Sequence, residues 1–239
     1  NSATQITATA PAHATGPVDV TVTTTGGTSP TSAADQHTFV AAPTVTTVAP
    51  SAGPSGGGTS VVITGTNLTG AGSVLFGAAP ASFTVNSATP ITATAPAGTG
   101  TVDVRVTTAG GNSATSSADH FTFVAAPTVT GLSPNAGPLA GGTSVTITGT
   151  NLTGATAVTF GATAASTFTV NTATQITATA PAGTGTVDVR VTTTGGTSAT
   201  SAADHFTFTA GPAVSSINPG SGPTAGGTSG TITGTVLTG

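Results

Sequence analysis

Apolar and polar residues alternate with a period of two along much of this chain. In residues 186–193, TVDVRVTT, Val187, Val189 and Val191 share one face, and Asp188 and Arg190 share the other. Phe206 and Phe208 alternate in the same way with His205 and Thr207. Over residues 127–210 the pattern predicts seven strands, at 128–133, 143–149, 156–161, 166–170, 175–180, 186–193 and 204–209, separated by clusters of Gly, Pro and Asn. No segment combines helical length with helical period. A strand with one buried face needs a second sheet to cover it.

The pattern repeats. NSATQITATAP begins at residue 1, NSATPITATAP at 86 and NTATQITATAP at 171, a period of 85. GGTSVVITGTNLTG (57–70) returns as GGTSVTITGTNLTG (141–154) and as GGTSGTITGTVLTG (226–239), and VDVTV (18–22) returns as VDVRV at 102–106 and 187–191. A period this long exceeds the ~20–50 residues of solenoid repeats and reads as stacked domains. Seven short strands in about 85 residues fit an immunoglobulin-like sandwich. The expected fold is therefore all-β, with tandem immunoglobulin-like β-sandwiches arranged as a rod. The expected domains are 1–42 (closing strands only), 43–126 (complete), 127–211 (complete) and 212–239 (opening strands only). The nine Phe fall at repeated apolar positions (Phe76 with Phe160; Phe83 with Phe168; Phe121 with Phe206; Phe39 with Phe123 and Phe208), which marks them as core.

Composition narrows the function. Only 3% of residues are charged, with two Arg, no Lys, six Asp and no Glu, for a net charge of −4. Two Arg cannot line a phosphate backbone, so nucleic acid is not an expected partner, and attachment to an anionic membrane fails for the same reason. No apolar run approaches the ~18 residues of a membrane span, so this segment is not expected to insert. Thr makes up roughly a quarter of the chain, far above ordinary usage. Its β-branch suits a pleated surface while its hydroxyl keeps that surface wet. The chain has no Cys, so stability rests on packing alone, without disulfides or thiolate metal sites.

The ordered set Pro127, Ser133-Pro134, Gly137-Pro138, Gly141-Gly142-Thr143, VTITGTNL, VTFG, ITATAPAG, VDVRVTT and a closing FTF resembles the IPT/TIG domain. The resemblance covers the whole chain, as two complete and two partial copies. It implies an immunoglobulin-like fold, found in bacterial surface proteins, plexin-type receptors and some transcription factors. The Cys-rich neighbours of the receptors and the basic loops of the transcription factors are lacking here. The Thr/Ala/Gly-rich, low-charge style is similar to bacterial secreted repeat proteins. The last copy departs from the pattern, with Gly230 in place of Val61 and Val145, and Val236 in place of Asn67 and Asn151; a weaker second strand is expected there.

Only Val124, Ala125 and Ala126 separate Phe123 from Pro127, and Thr209, Ala210 and Gly211 follow Phe208. A flexible tether would need a longer Gly/Ser run. Pro43, Pro127 and Pro212 restrict each joint, so a stiff, extended rod is expected. The start matches position 86 of the repeat and the end matches position 154. We read this as a window on a longer array, in preference to half-domains that complete one another between subunits by strand addition.

The candidate chemistry is sparse. The carboxylates occupy two repeat positions, Asp19, Asp103 and Asp188, and Asp35, Asp119 and Asp204. Symmetric recurrence argues against a catalytic pair, which needs two unlike environments. Asp103 with Arg105, and Asp188 with Arg190, are spaced to pair weakly in water. His37, His120 and His205 each follow an Asp by one or two residues; His13 occurs in one copy only. Zinc needs about three or four converging ligands and calcium ~6–8 oxygens, and neither set is evident. A turn-capping Asp and a solvated His are expected instead. The Gly-rich stretches at 55–58, 141–142 and 226–227 lack the Lys and the following helix of a phosphate loop and read as turns. Asn67-Leu68-Thr69 and Asn151-Leu152-Thr153 match an N-glycosylation pattern, but their Asn suits the turn after the second strand. No catalytic, cofactor-binding or metal-binding residue is assigned, and no enzyme activity is expected. The expected role is a structural repeat of a secreted or cell-surface protein, as stalk, spacer or extracellular filament, partnered by neighbouring copies of itself along the rod. The alternatives are an adhesin-type module recognising a glycan or surface protein, and accessory domains of a secreted enzyme.

Overall fold

The structure is a computed structural model that describes residues 2–237. It divides into two compact units, Asn1–Phe123 and Val124–Gly239. Each holds one complete two-sheet sandwich and one set of partial strands.

In the first unit a four-stranded sheet runs in the order Ser82–Val85, Pro90–Thr94, Ser60–Thr66, Thr44–Ala49. Facing it, a second sheet runs Ala52–Pro54, His120–Val124, Gly100–Thr108, Ser73–Phe76, Ala79–Pro80. The second unit repeats this order, with Thr167–Thr172, Gln175–Thr179, Ser144–Thr150 and Thr128–Ser133 in one sheet. Its other sheet holds Ala136–Pro138, His205–Thr209, Gly185–Thr193, Ala157–Phe160 and Thr163–Ala164. All seven sequence-derived strands are present within one or two residues of their expected limits. The fold is all-β, as the alternation requires.

Four elements have no counterpart in the period-two pattern, one of them the two-residue strand Thr163–Ala164. Ala136–Pro138 runs parallel to His205–Thr209, although its Gly-Pro reads as a turn. At a sheet edge Pro138 needs no N–H partner. Gly137 is required by close approach, since a Cβ there would stand 3.0 Å from Phe206 Cζ and collide with the Thr143 hydroxyl. The two-residue strand Gly196–Thr197 folds back on Thr192–Thr193, and the one-turn 3-10 helix Ala202–Asp204 precedes the last strand. The Gly-rich stretch at 141–142 is a turn, with both glycines at positive φ (76° and 86°).

The alternation places its apolar face inside. Val189 and Val191 are fully buried between the sheets with Val145, Ile147, Ile176, Phe160 and Phe206. Phe206 meets Phe160 and Phe208 edge to face, with ring centroids 5.2 Å and 5.1 Å apart. Phe121 meets Phe76 and Phe123 in the same way, at 5.1 Å each. Phe83 and Phe168 are half-buried against these cores.

The outer faces are tied by threonines. Thr44 with Thr66 and Thr128 with Thr150 share hydroxyl hydrogen bonds of 2.8 Å across paired strands, and Thr101 with Thr122 and Thr186 with Thr207 do so at 2.9 Å. A bulge interrupts the first strand pair in each copy. There the hydroxyl of Thr46, Thr130 or Ser215 donates to a carbonyl of the partner strand at 3.0–3.2 Å.

The approach to each sandwich is anchored to that sandwich. Asn67 and Asn151 take positive φ (57° and 54°), which Asn tolerates better than most residues. Their side-chain amides donate to Ala42 O and Ala126 O, each at 3.1 Å. This gives the Asn of the apparent glycosylation pattern a structural task. Gly110 and Gly195 pack against Ala41 and Ala125 so closely that a Cβ at either would overlap the carbonyl oxygen. In the last copy Val236 holds φ 55° with a branched side chain, which is disfavoured there. Its second strand begins only at Thr231, two residues later than the strand beginning at Ser144 in the repeat.

Phe206→Ala is expected to destabilise the second complete domain by about 3–5 kcal/mol. Chemical denaturation should then split into two transitions, the earlier one belonging to that domain.

Candidate functional site

Strand register brings together residues that are separate in the sequence. Asp103 lies opposite His120, and Asp188 opposite His205. His120 Nε2 stands 3.3 Å from Asp103 Oδ1, and His205 Nε2 stands 3.3 Å from Asp188 Oδ1. These four side chains are 40–51% exposed. Directly opposite residues on paired strands approach more closely than residues two apart on one strand. The carboxylates therefore meet His, and the Asp–Arg pairs suggested by the i, i+2 spacing do not form. Arg190 Nε instead donates to Ser198 O at 3.0 Å, and Arg105 Nε is buried without a hydrogen-bond partner.

The third member arrives from the 3-10 turn. Ser116 and Ser201 begin their turns, accepting from Ala118 N and Ala203 N at 3.2 Å. Their own amides donate to Asp119 Oδ2 at 3.0 Å and Asp204 Oδ2 at 2.9 Å. This reciprocal cap turns each Asp inward until it is fully buried. The Oδ1 atoms of both are buried without a hydrogen-bond partner. One donor atom each from Asp103, Asp119 and His120 lies within 4.8 Å of the other two, and the same holds for Asp188, Asp204 and His205. Two carboxylates and an imidazole thus converge, once per complete domain.

In the first copy the histidine is offset by one residue. Asp35 caps its turn, accepting from Ser32 N at 2.6 Å. However, Gln36 lies opposite Asp19, and His37 lies opposite Val18 where Phe121 lies opposite Val102. His37 therefore takes a phenylalanine's place and stands 4.8 Å from the Phe39 ring; it is not the counterpart of His120 and His205. The ADQH order, against ADHF, carries this offset in the sequence. A groove of about 400 Å³ is lined by Ala8, Pro11, His13, Val18, His37 and Phe39; the counterparts of Val18, His37 and Phe39 in the first complete domain, Val102, Phe121 and Phe123, face the four-stranded sheet.

Burial pushes the Asp119 and Asp204 carboxyls above their ordinary value of 3.8; the capping amides of Ser116 and Ser201 pull in the other direction, the charges of Asp103 and Asp188 add to the rise, and at Asp204 a hydrogen bond shared with the Asp188 carboxyl adds further. Between 3.8 and the raised value the folded state holds a proton that the unfolded chain has lost. Each domain should therefore lose stability as pH rises through that window. Asp119→Asn with Asp204→Asn should flatten the slope, as checked by denaturation midpoints from roughly pH 3 to 7 in metal-free buffer.

Among the described residues no helix is long and apolar enough to cross a membrane, which says nothing of strand-built spans. No curated protein matches the sequence significantly. Among solved structures the chain is similar to the plexin A4 extracellular region, at 25% identity over 74% of this chain and 19% of that one, with a TM-score of 0.44. It is also similar to SGBP-B from a complex xyloglucan utilization locus in Bacteroides uniformis, at 28% identity over 66% and 48% of the two chains, with a TM-score of 0.31. The Escherichia coli adhesin FdeC aligns at 20% identity over 76% and 68%, with a TM-score of 0.31. The chain thus spans about a fifth of the plexin structure and about half of SGBP-B. The IPT/TIG domain profile matches residues 43–123 and 127–208. With both complete sandwiches matched over more than half of its length, this chain belongs to the IPT/TIG domain family.

Proposed function

We propose that this chain is a structural repeat region of a secreted or cell-surface protein, serving as an extended stalk, spacer or filament and not as an enzyme. The observation that carries this reading is the joint. In both complete domains the residue two positions before the first strand is fastened to the domain that follows, by Asn67 on Ala42 and Asn151 on Ala126. Gly110 and Gly195 pack on Ala41 and Ala125. A short joint, anchored in the same way at the start of each complete domain, suits an array whose length scales with copy number. On this reading the domains run 43–126 and 127–211, flanked by partial copies at 1–42 and 212–239.

The family reading and the composition agree with an extracellular setting. A chain with 3% charged residues and two Arg lacks the basic surface that nucleic acid or an anionic membrane would need. Glycan recognition through an aromatic platform has less support. The chain has no Trp or Tyr, and in both complete domains the Phe are buried or half-buried against the core.

Small-angle scattering tests the proposal. A compact particle of this length would have a radius of gyration of about 18 Å. The expected value is above about 25 Å, and a value near the compact one would overturn the reading. Asn151→Ala should loosen the joint, with 15N order parameters at Ala125 and Ala126 falling from about 0.85 toward 0.6 or below.

A further inference from the structure

We propose that the Asp103–Asp119–His120 cluster, and its copy at Asp188–Asp204–His205, is a binding site for a divalent transition-metal ion of the zinc class. The proposal does not depend on the chain acting as a stalk. It rests on three observations.

The first is donor geometry. The 3.3 Å between His120 Nε2 and Asp103 Oδ1, repeated at His205 and Asp188, is the span of two ligands on one tetrahedral ion. Donors ~2.0 Å from a zinc ion at the tetrahedral angle stand about 3.3 Å apart. A third donor atom from the buried Asp lies within 4.8 Å of both.

The second is an unmet need. Asp119 and Asp204 are fully buried, yet their Oδ1 atoms have no hydrogen-bond partner. A buried carboxylate oxygen left so is costly, and an ion at the cluster would meet the need. Their other oxygens are held by the Ser116 and Ser201 amides, which fix the carboxylates as outer-shell bonds fix metal ligands.

The third is charge. Histidine ligates a metal through its neutral form, so two carboxylates and one imidazole holding an ion would carry two negative charges, matching one divalent ion. The two Arg of the chain lie two residues from the half-buried Asp of each cluster, yet among the described residues those carboxylates contact His and not Arg. The cations at hand do not neutralise these carboxylates. An imidazole with only three protein donors favours a borderline ion such as zinc over calcium or magnesium, which collect more oxygens. The ion would bridge the strand carrying Asp103 to the start of the closing strand, a cross-link in domains that have no disulfide.

Isothermal titration of the full 239-residue chain with zinc chloride, after chelator treatment and with magnesium chloride as control, tests this. Two zinc ions per chain are expected to bind, raising the thermal midpoint, while magnesium does not. His120→Gln with His205→Gln, both at exposed positions, should keep the β-sheet circular dichroism and weaken zinc at least about tenfold. Imidazole 15N spectra should shift at His120 and His205 and not at His13 or His37. The proposal is overturned if millimolar zinc gives no saturable binding and only a proton titrates between the two carboxyls. It is also overturned if the double variant binds zinc as tightly as the parent, or if the shifts fall on His13 and His37.

Discussion

In each complete domain three phenylalanine rings of one sheet meet edge to face and press against the valines and isoleucines of the other. With no cysteine in the chain, this contact joins the two layers. Aromatic rings in this arrangement contribute beyond their buried area, and the surrounding chain is shaped to admit them. Gly53 and Gly137 stand where a Cβ would press on Phe121 and Phe206, and Gly98 and Gly183 where it would press on Phe123 and Phe208. The glycine pattern of the repeat is thus in part an imprint of its aromatic core.

The fold was legible because its determinants are local. Val187, Val189 and Val191 declare a buried face by spacing alone, and the Phe positions follow the same parity. What escaped was non-local. Ala136–Pro138 reads as a turn because Gly-Pro usually marks one; only its parallel pairing with the closing strand makes it part of a sheet. The convergence of Asp103, Asp119 and His120 escaped for the same reason. The two Asp positions stand sixteen residues apart in the sequence, and the register of two strands plus the inward twist of a capped turn bring them to one point. Asn67 and Asn151 were legible as turn residues, whereas their bond to the preceding joint requires knowing where the chain enters the sandwich.

The cluster and the core carry opposite demands. The core excludes water and needs no partner beyond itself. The cluster lies on the opposite face of the same strands, where it buries a carboxylate and leaves one of its oxygens unanswered, in both complete domains alike. An arrangement repeated with the same cap, the same register and the same Asp–His separation belongs to the module and not to one copy. The first copy shows how little separates the two states: with Gln36 and His37 in place of His and Phe, the imidazole moves to the core side of the strand and the donor set is lost.

The threonine pairs across the outer strands have a consequence for where such a chain can work. Hydroxyl groups neither titrate in ordinary waters nor attract counter-ions, so the bonds that hold these faces are indifferent to salinity. Exposed ion pairs weaken as the Debye length shrinks from about 30 Å in dilute buffer to about 3 Å in brine. A sheet laced by Thr44 to Thr66 and Thr128 to Thr150 keeps the same lattice of bonds in fresh water, in seawater and in a drying film.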